Sequence, residues 1–252
     1  MNEKIALVNY YNTEPYLYGL EERGTQFDLI RSTPAECTAL FKAGAVDIAL
    51  VPVVTLFEET DASIISDYGI CCDDEVKTVV LFSNTSKDAI SKIYLDNHSR
   101  TSVQLLKIIL KNYWKIEVEF KRENVDQIKL KDGEGVLMIG DKVFKNEDTF
   151  THVYDLGKEW KKYTGLPFVF AVWLKRKVVS DNTVVQLRDI FEYGLSKIDT
   201  IIKKYHGKIE IDLKSYYSEN IHFRLGHDEH KAIVRFKEEI AKANLEKTGL
   251  VE

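Results

Sequence analysis

The chain has 252 residues, 44% of them hydrophobic and 30% charged, with a formal net charge of −5. That is globular composition, long enough to bury a core in one large domain or two medium ones, and its acidic balance excludes the basic stripe of a nucleic-acid binder. The three cysteines, Cys37, Cys71 and Cys72, have no metal or redox spacing and read as reduced thiols.

In chain order, residues 4–9 read as a strand, 14–22 as a helix and 27–31 as a second strand. Thr33-Pro34-Ala35-Glu36 then marks a helix start, with Thr as cap, Pro in the first turn and Glu reaching back. That helix runs to Lys42, and 46–51 follows as a buried strand. A β-branched run at 76–83 precedes a second βα series: strand 92–95, helix 100–114, strands 116–120 and 135–139. A long apolar strand at 168–174 leads into three helices, one of which carries Val184, Leu187, Phe191, Leu195, Ile198 and Ile202 on one face.

Alternating strands and helices predict parallel sheets covered by helices, an α/β fold. The long strands near residues 80 and 172 suggest a second lobe inserted into the first through two hinge strands, with 1–83 and 175–252 in lobe 1 and 84–174 in lobe 2. Such a two-lobed arrangement has a central cleft, where small ligands bind and closure happens. No apolar stretch approaches the roughly 18 residues that would span a membrane. The start lacks the basic residues and long apolar core of a signal peptide, so the cytoplasm is the expected location.

No Gly-rich dinucleotide loop, phosphate loop, Gly-x-Ser-x-Gly elbow or zinc spacing occurs, so no cofactor or metal is expected. His227-Asp228-Glu229-His230 puts two His on one helix face, but no third ligand is placed, and acids in a first turn complement the helix dipole. Two clusters suit a binding site. Asn9-Tyr10-Tyr11-Asn12-Thr13-Glu14-Pro15 lies where the first strand ends, the edge that faces ligands in parallel sheets; a helix cap is the bland alternative. Ser99-Arg100-Thr101-Ser102 opens an apolar helix, where backbone N–H groups, the dipole and three hydroxyls favour a carboxylate. A cap again needs only Ser99.

Asn12-Thr13-x-Pro15, Gly44-x-Val46-Asp47-Ile48-Ala49, Ser99-Arg100-Thr101-Ser102-Val103, Ile139-Gly140-Asp141, and the block from Asp155-Leu156-Gly157 through Trp160 and Thr164-Gly165-Leu166-Pro167-Phe168 to Trp173 together resemble the chorismate dehydratase family of the futalosine route to menaquinone. The match runs in order through Phe223-Arg224-Leu225-Gly226. The resemblance implies a type II periplasmic-binding-protein-like fold used as a lyase: water leaves chorismate to give 3-[(1-carboxyvinyl)oxy]benzoate.

It further implies that Asn12 is catalytic, orienting substrate or donating to the leaving oxygen, and that the Thr78 hydroxyl contacts substrate. Ser99, Arg100, Thr101 and Ser102 would hold a carboxylate, Pro52 and Val53 would line the ring pocket, and Gly140 and Asp141 would complete the substrate contacts. For the base, Asp141 and the substrate's own enolpyruvyl carboxylate are both open. A sibling family, 1,4-dihydroxy-6-naphthoate synthase, carries a catalytic His in the loop matching 139–141; here Gly140 stands there. A cytoplasmic binding protein for a small carboxylate is the reading from another class.

Overall fold

The computed structural model describes residues 2–96, 100–125, 128–209 and 211–247. In chain order the strands and helices are β1 (Lys4–Val8), α1 (Glu14–Arg23), β2 (Asp28–Ser32), α2 (Pro34–Lys42), β3 (Ile48–Pro52), α3 (Val54–Glu58), β4 (Ala62–Cys72), β5 (Val79–Ser83), β6 (Lys92–Leu95) and α4 (Thr101–Ile108). Then come β7 (Glu119–Arg122), β8 (Glu134–Ile139), β9 (His152–Asp155), α5 (Leu156–Thr164), β10 (Phe168–Arg176), α6 (Asp181–Leu195), α7 (Ile198–Tyr205), α8 (Leu213–Ser215), β11 (His222–Arg224) and α9 (His227–Lys247). They form two compact units: residues up to Cys71 with Phe170–Leu225, and Cys72–Val169 with the residues from Gly226 on.

The first unit is built on a six-stranded sheet ordered β11-β4-β10-β3-β1-β2. β1 pairs in parallel with β2 and β3, whereas β10 runs antiparallel to β3 with Ala171 opposite Pro52. Ile5 to Val8 are all buried, as a central parallel strand covered on both faces requires. The Thr33 capping box forms as the sequence predicts: the Thr33 hydroxyl accepts from Glu36 N at 3.3 Å, and the Glu36 carboxylate accepts from Thr33 N at 3.2 Å. Helix α1 packs on α6 at glycines, since a Cβ on Gly19 would strike the Ile190 carbonyl and one on Gly194 the Pro15 carbonyl. Beneath them Tyr16 is fully buried among Tyr68, Trp173, Phe191 and Phe223, ring centroids 4.9–6.4 Å away. Its hydroxyl meets the Gly69 carbonyl at 2.8 Å, which satisfies the one polar atom it brings into the core.

The second unit carries a five-stranded sheet ordered β7-β6-β8-β5-β9. β6 is parallel to β7 and β8, and β5 is antiparallel to β8 and β9. One face buries Val80, Phe82, Val136 and Met138 against Val125, Val143 and Phe150. Helix α4 packs on α5 and α9. Trp160 of α5 is fully buried, edge-on to Phe168 and Phe236 at 5.3 and 5.9 Å, with its indole N–H on the Pro167 carbonyl at 2.9 Å. Burying an indole of this size contributes roughly 4–6 kcal/mol before the entropy cost.

The division differs from the sequence expectation of 1–83 and 175–252 against 84–174. Residues 79–83 belong to the second unit because β5 is the middle of its antiparallel ladder. Helix α9 belongs there too, held by Phe236 on Trp160 and Phe168. The chain passes between units at Cys71–Cys72, at Val169–Phe170 within β10 and, a third time, at Leu225–Gly226. The first hinge strand is therefore β4 and not 76–83. Strand 116–120 moves to β7, and the helix expected over 100–114 is α-helical only to Ile108, its last turns widening to a π-helix over Ile109–Trp114. Among the described residues no helix is long and apolar enough to cross a membrane.

Candidate active site

In the first unit the candidate residues gather at one sheet edge. β1 and β3 are parallel, so their carboxyl ends lie together, and the antiparallel β10 begins beside them. The turn after β1 is a single 3-10 turn, Tyr11–Thr13. Buried Thr13 pins it, its hydroxyl 2.6 Å from the Val8 carbonyl and 2.8 Å from that of Tyr10. Thr13 therefore spends its side chain inside the turn, while Asn12 beside it is half-buried and is free to serve a ligand. Across from it Pro52 ends β3 half-buried, and Val53 is buried with its N–H on the Phe170 carbonyl at 3.0 Å.

The second unit repeats the arrangement. β6 and β8 are parallel, and antiparallel β5 starts where β8 ends. That edge carries Asp96 after β6, Arg100, Thr101 and Ser102 at the start of α4, Gly140 and Asp141 after β8, and Thr78 before β5. Gly140 donates to the Thr78 carbonyl at 2.9 Å and has φ 75° with ψ −164°, a backbone state that only glycine adopts without strain. Thr78 is buried, its hydroxyl 3.4 Å from the Val76 carbonyl. Thr101 is 4% exposed, and its hydroxyl oxygen is buried with no hydrogen-bond partner among the described residues. Leaving a buried hydroxyl unsatisfied costs about 1–3 kcal/mol, and here it stands at an eight-residue helix start whose dipole favours an anion. Ser102 beside it is also buried. Ser99 lies outside the described residues.

Sequence reasoning missed two ionic supports of this edge. Asp96 is buried and paired with the Lys142 ammonium, and its carbonyl accepts from Arg122 at 3.4 Å. Lys142 thus offsets a negative charge that would otherwise repel a carboxylate at α4. Asp155 caps α5, accepting from Gly157 N at 2.9 Å and Lys158 N at 3.2 Å, and also from Val76 N at 3.1 Å and Lys77 N at 2.7 Å. One side chain so fixes the segment leading into Thr78, including Lys77 at φ 63°. Burial pushes the Asp155 carboxyl up to about 6, against the pull of those N–H groups. The signal in the sequence was Asp before Leu156-Gly157, a cap pattern; its grip on 76–77 has none.

Two other features carry no site. A cavity of about 590 Å³ in the second unit is lined by Lys77, Lys87, Lys158, Lys162, Tyr113 and Tyr154 among others, but its charges largely pair within it: Lys158 and Lys77 with Glu75 at 2.6 and 3.2 Å, Lys162 with Glu159 at 2.6 Å. The His227–His230 cluster closes the start of α9, where the Glu229 carboxylate accepts from Gly226 N at 2.8 Å and His230 Nδ1 lies 2.8 Å from the Gly226 carbonyl. Among the described residues no group of three or more acids, His or Cys is placed to hold a metal.

Two α/β units, each on its own mixed sheet, make up a periplasmic-binding-protein-like fold. Solved structures agree on the fold: a protein of Archaeoglobus fulgidus matches with TM-score 0.73 at 12% identity over 98% of both chains. The alkanesulfonate-binding protein of Xanthomonas axonopodis pv. citri, solved with MOPS, matches with TM-score 0.62 at 11% identity over 99% of this chain and 94% of that one. By sequence, the chain belongs to the menaquinone biosynthesis family, which it matches over residues 4–242. A chorismate dehydratase of Thermus thermophilus is 26% identical over 93% of each chain.

Proposed function

We propose that the chain is a chorismate dehydratase, a carbon–oxygen lyase acting in menaquinone biosynthesis by the futalosine route. Membership of the menaquinone biosynthesis family and the similarity to the Thermus enzyme support the reaction. The observation that carries the site is the buried Thr101 hydroxyl at the start of α4, which has no hydrogen-bond partner among the described residues, a donor held ready for an anion.

In this reaction the ring C–H beside the enolpyruvyl ether loses its proton, the neighbouring C–O bond to the hydroxyl breaks, and water leaves as the ring becomes aromatic. Aromatisation drives the chemistry forward; the protein's part is to hold two carboxylates and direct the proton and the leaving oxygen. Thr101, Ser102 and the N–H groups of α4 take one carboxylate, with Ser99 and Arg100 beside them. Asn12 has an amide, which is no base, so it donates a hydrogen bond to the departing oxygen or orients the ring. The Thr78 hydroxyl, Gly140, Pro52 and Val53 are assigned to the same substrate. Two carboxylates are available to take the proton, Asp141 and the substrate's own enolpyruvyl group. An Asp141→Asn variant separates them, since a base contributes about 10²–10⁴-fold.

The test is direct. Purified protein mixed with chorismate, without cofactor, develops the ultraviolet spectrum of the aromatic product; a melting shift without spectral change would instead make it a carboxylate-binding protein. Asn12→Ala lowers turnover about a hundredfold or more with thermal stability unchanged. Near-normal turnover in that variant removes Asn12 from the mechanism.

A further inference from the structure

The residues on both sides of Asn12 are gripped by a segment about 190 residues further along the chain. On one side, Tyr11 packs edge-on against the Tyr205 ring at 5.3 Å, and its carbonyl accepts from the Tyr217 hydroxyl at 2.7 Å. On the other, Glu14 is 8% exposed and accepts from the Lys204 ammonium at 3.4 Å. Lys204 also sits 4.9 Å from the Tyr205 ring centroid. The end of α7 therefore meets both flanks of the turn, through the Tyr205 ring on Tyr11 and the Lys204 ammonium on Glu14, and α7 packs against α1.

Helix start alone does not explain this. An exposed Glu in a first turn already suits the dipole, and burying a carboxylate is costly unless it is hydrogen-bonded and paired. Glu14 meets that requirement only through α7. Thr13 pins the turn from inside, by bonds to Val8 and Tyr10, but fixes neither flank against the rest of the unit. Asn12 is the one residue of Tyr11-Asn12-Thr13-Glu14 whose side chain none of these contacts uses.

We propose that Tyr205 and Glu14 are positioning residues for Asn12: they clamp the turn so that its amide is held in one direction. The inference deepens the dehydratase reading and rests on it for its catalytic consequence, though the clamp itself does not depend on the substrate. An amide that donates to a leaving oxygen must be placed to within a fraction of an ångström, and a misplacement of about 1 Å costs up to a hundredfold in rate. The clamp thus shows in kcat more than in KM.

The experiment uses Tyr205→Leu, which removes the ring from Tyr11, and Glu14→Gln, which keeps the shape and removes the charge that pairs with Lys204. Expected are a kcat about tenfold lower at nearly unchanged KM for chorismate, and hydrogen exchange about tenfold faster in the peptide spanning 9–14. In a double-mutant cycle with Asn12→Ala, measured on residual turnover, Tyr205→Leu adds no further loss, because its effect runs through Asn12. Wild-type exchange at 9–14 in both variants overturns the clamp, and full multiplicative loss in the cycle overturns its link to Asn12. If one variant fails to fold, the other gives the same readings. If wild type does not convert chorismate, the dehydratase proposal fails, while the exchange measurement still decides whether the clamp exists.

Discussion

The two units support their candidate residues with different chemistry. In the first, the turn bearing Asn12 is braced largely by tyrosines, with Tyr205 and Tyr217 on Tyr11, and by the single Glu14–Lys204 ion pair beside them. In the second, the braces are ions: Asp155 on four N–H groups, Lys142 on Asp96, and Glu75 between Lys77 and Lys158. A brace of aromatic rings holds its geometry across the physiological pH range, because tyrosine titrates near 10. An ionic brace is stronger per group when buried but is exposed to pH and to the loss of a partner. The comparison teaches that, in the half expected to receive an anion, the segments bearing the candidate residues are themselves held by paired or hydrogen-bonded charges.

The sharpest way to break this contrast is to remove the central ion. Asp155→Ala leaves four backbone N–H groups at 76, 77, 157 and 158 without their acceptor. At about 1–3 kcal/mol for each buried donor, less where water enters, the second unit loses about 3 kcal/mol or more. Thermal unfolding then moves down by about 6 °C or more. A shift of only a degree or two would mean that the segment before Thr78 is held by something else.

Thr101→Val sharpens the contrast at the anion end. The substitution keeps the shape and deletes a hydroxyl that has no partner among the described residues, so stability is unchanged or higher by up to about 1 kcal/mol. Binding of chorismate weakens roughly ten- to a hundredfold, the worth of a hydrogen bond to a charged group. A variant that is less stable and binds normally would place Thr101 in the core and not in the site. Calorimetric unfolding and substrate saturation together read both numbers.

The smallest effect is the pH dependence of the Asp155 brace. Burial raises its carboxyl from 3.8 to about 6 in the folded chain, so the folded state holds this proton more tightly than the unfolded state does. The linked stabilisation is complete below about pH 3.8 and is lost as pH rises through about 6. Asp155→Asn lacks the titration, so the stability of wild type relative to that variant falls between about pH 4 and pH 7 in denaturant titrations. A relative stability that rises over the same window would show the N–H donors outweighing burial.

Much of this was legible in local pattern. The capping box at Thr33 and Glu36, the parallel βα series and the helix start at Thr101 follow from short-range rules, and the structure bears them out. The block from Asp155 to Trp173 looked specific, and its described roles are architectural: a cap at Asp155, an indole N–H on Pro167, and Gly165 at φ 76° after α5. β4 and β9 were not legible. The first is interrupted by Asp67-Tyr68-Gly69 and is irregular where it meets β11; the second is four residues of mixed character, too short for a period to show.

By itself the sequence determined most of the elements, the α/β class and the two polar clusters, because caps, turns and hydrophobic periods act over a few residues. Only the tertiary structure decided which unit owns β5 and α9, that the buried Thr101 hydroxyl has no partner among the described residues, and that α7 reaches back to Tyr11 and Glu14 through Tyr205 and Lys204. Those are matters of contacts between residues tens to about 190 positions apart, where no local pattern records the partner and only the packed chain brings the two groups within reach.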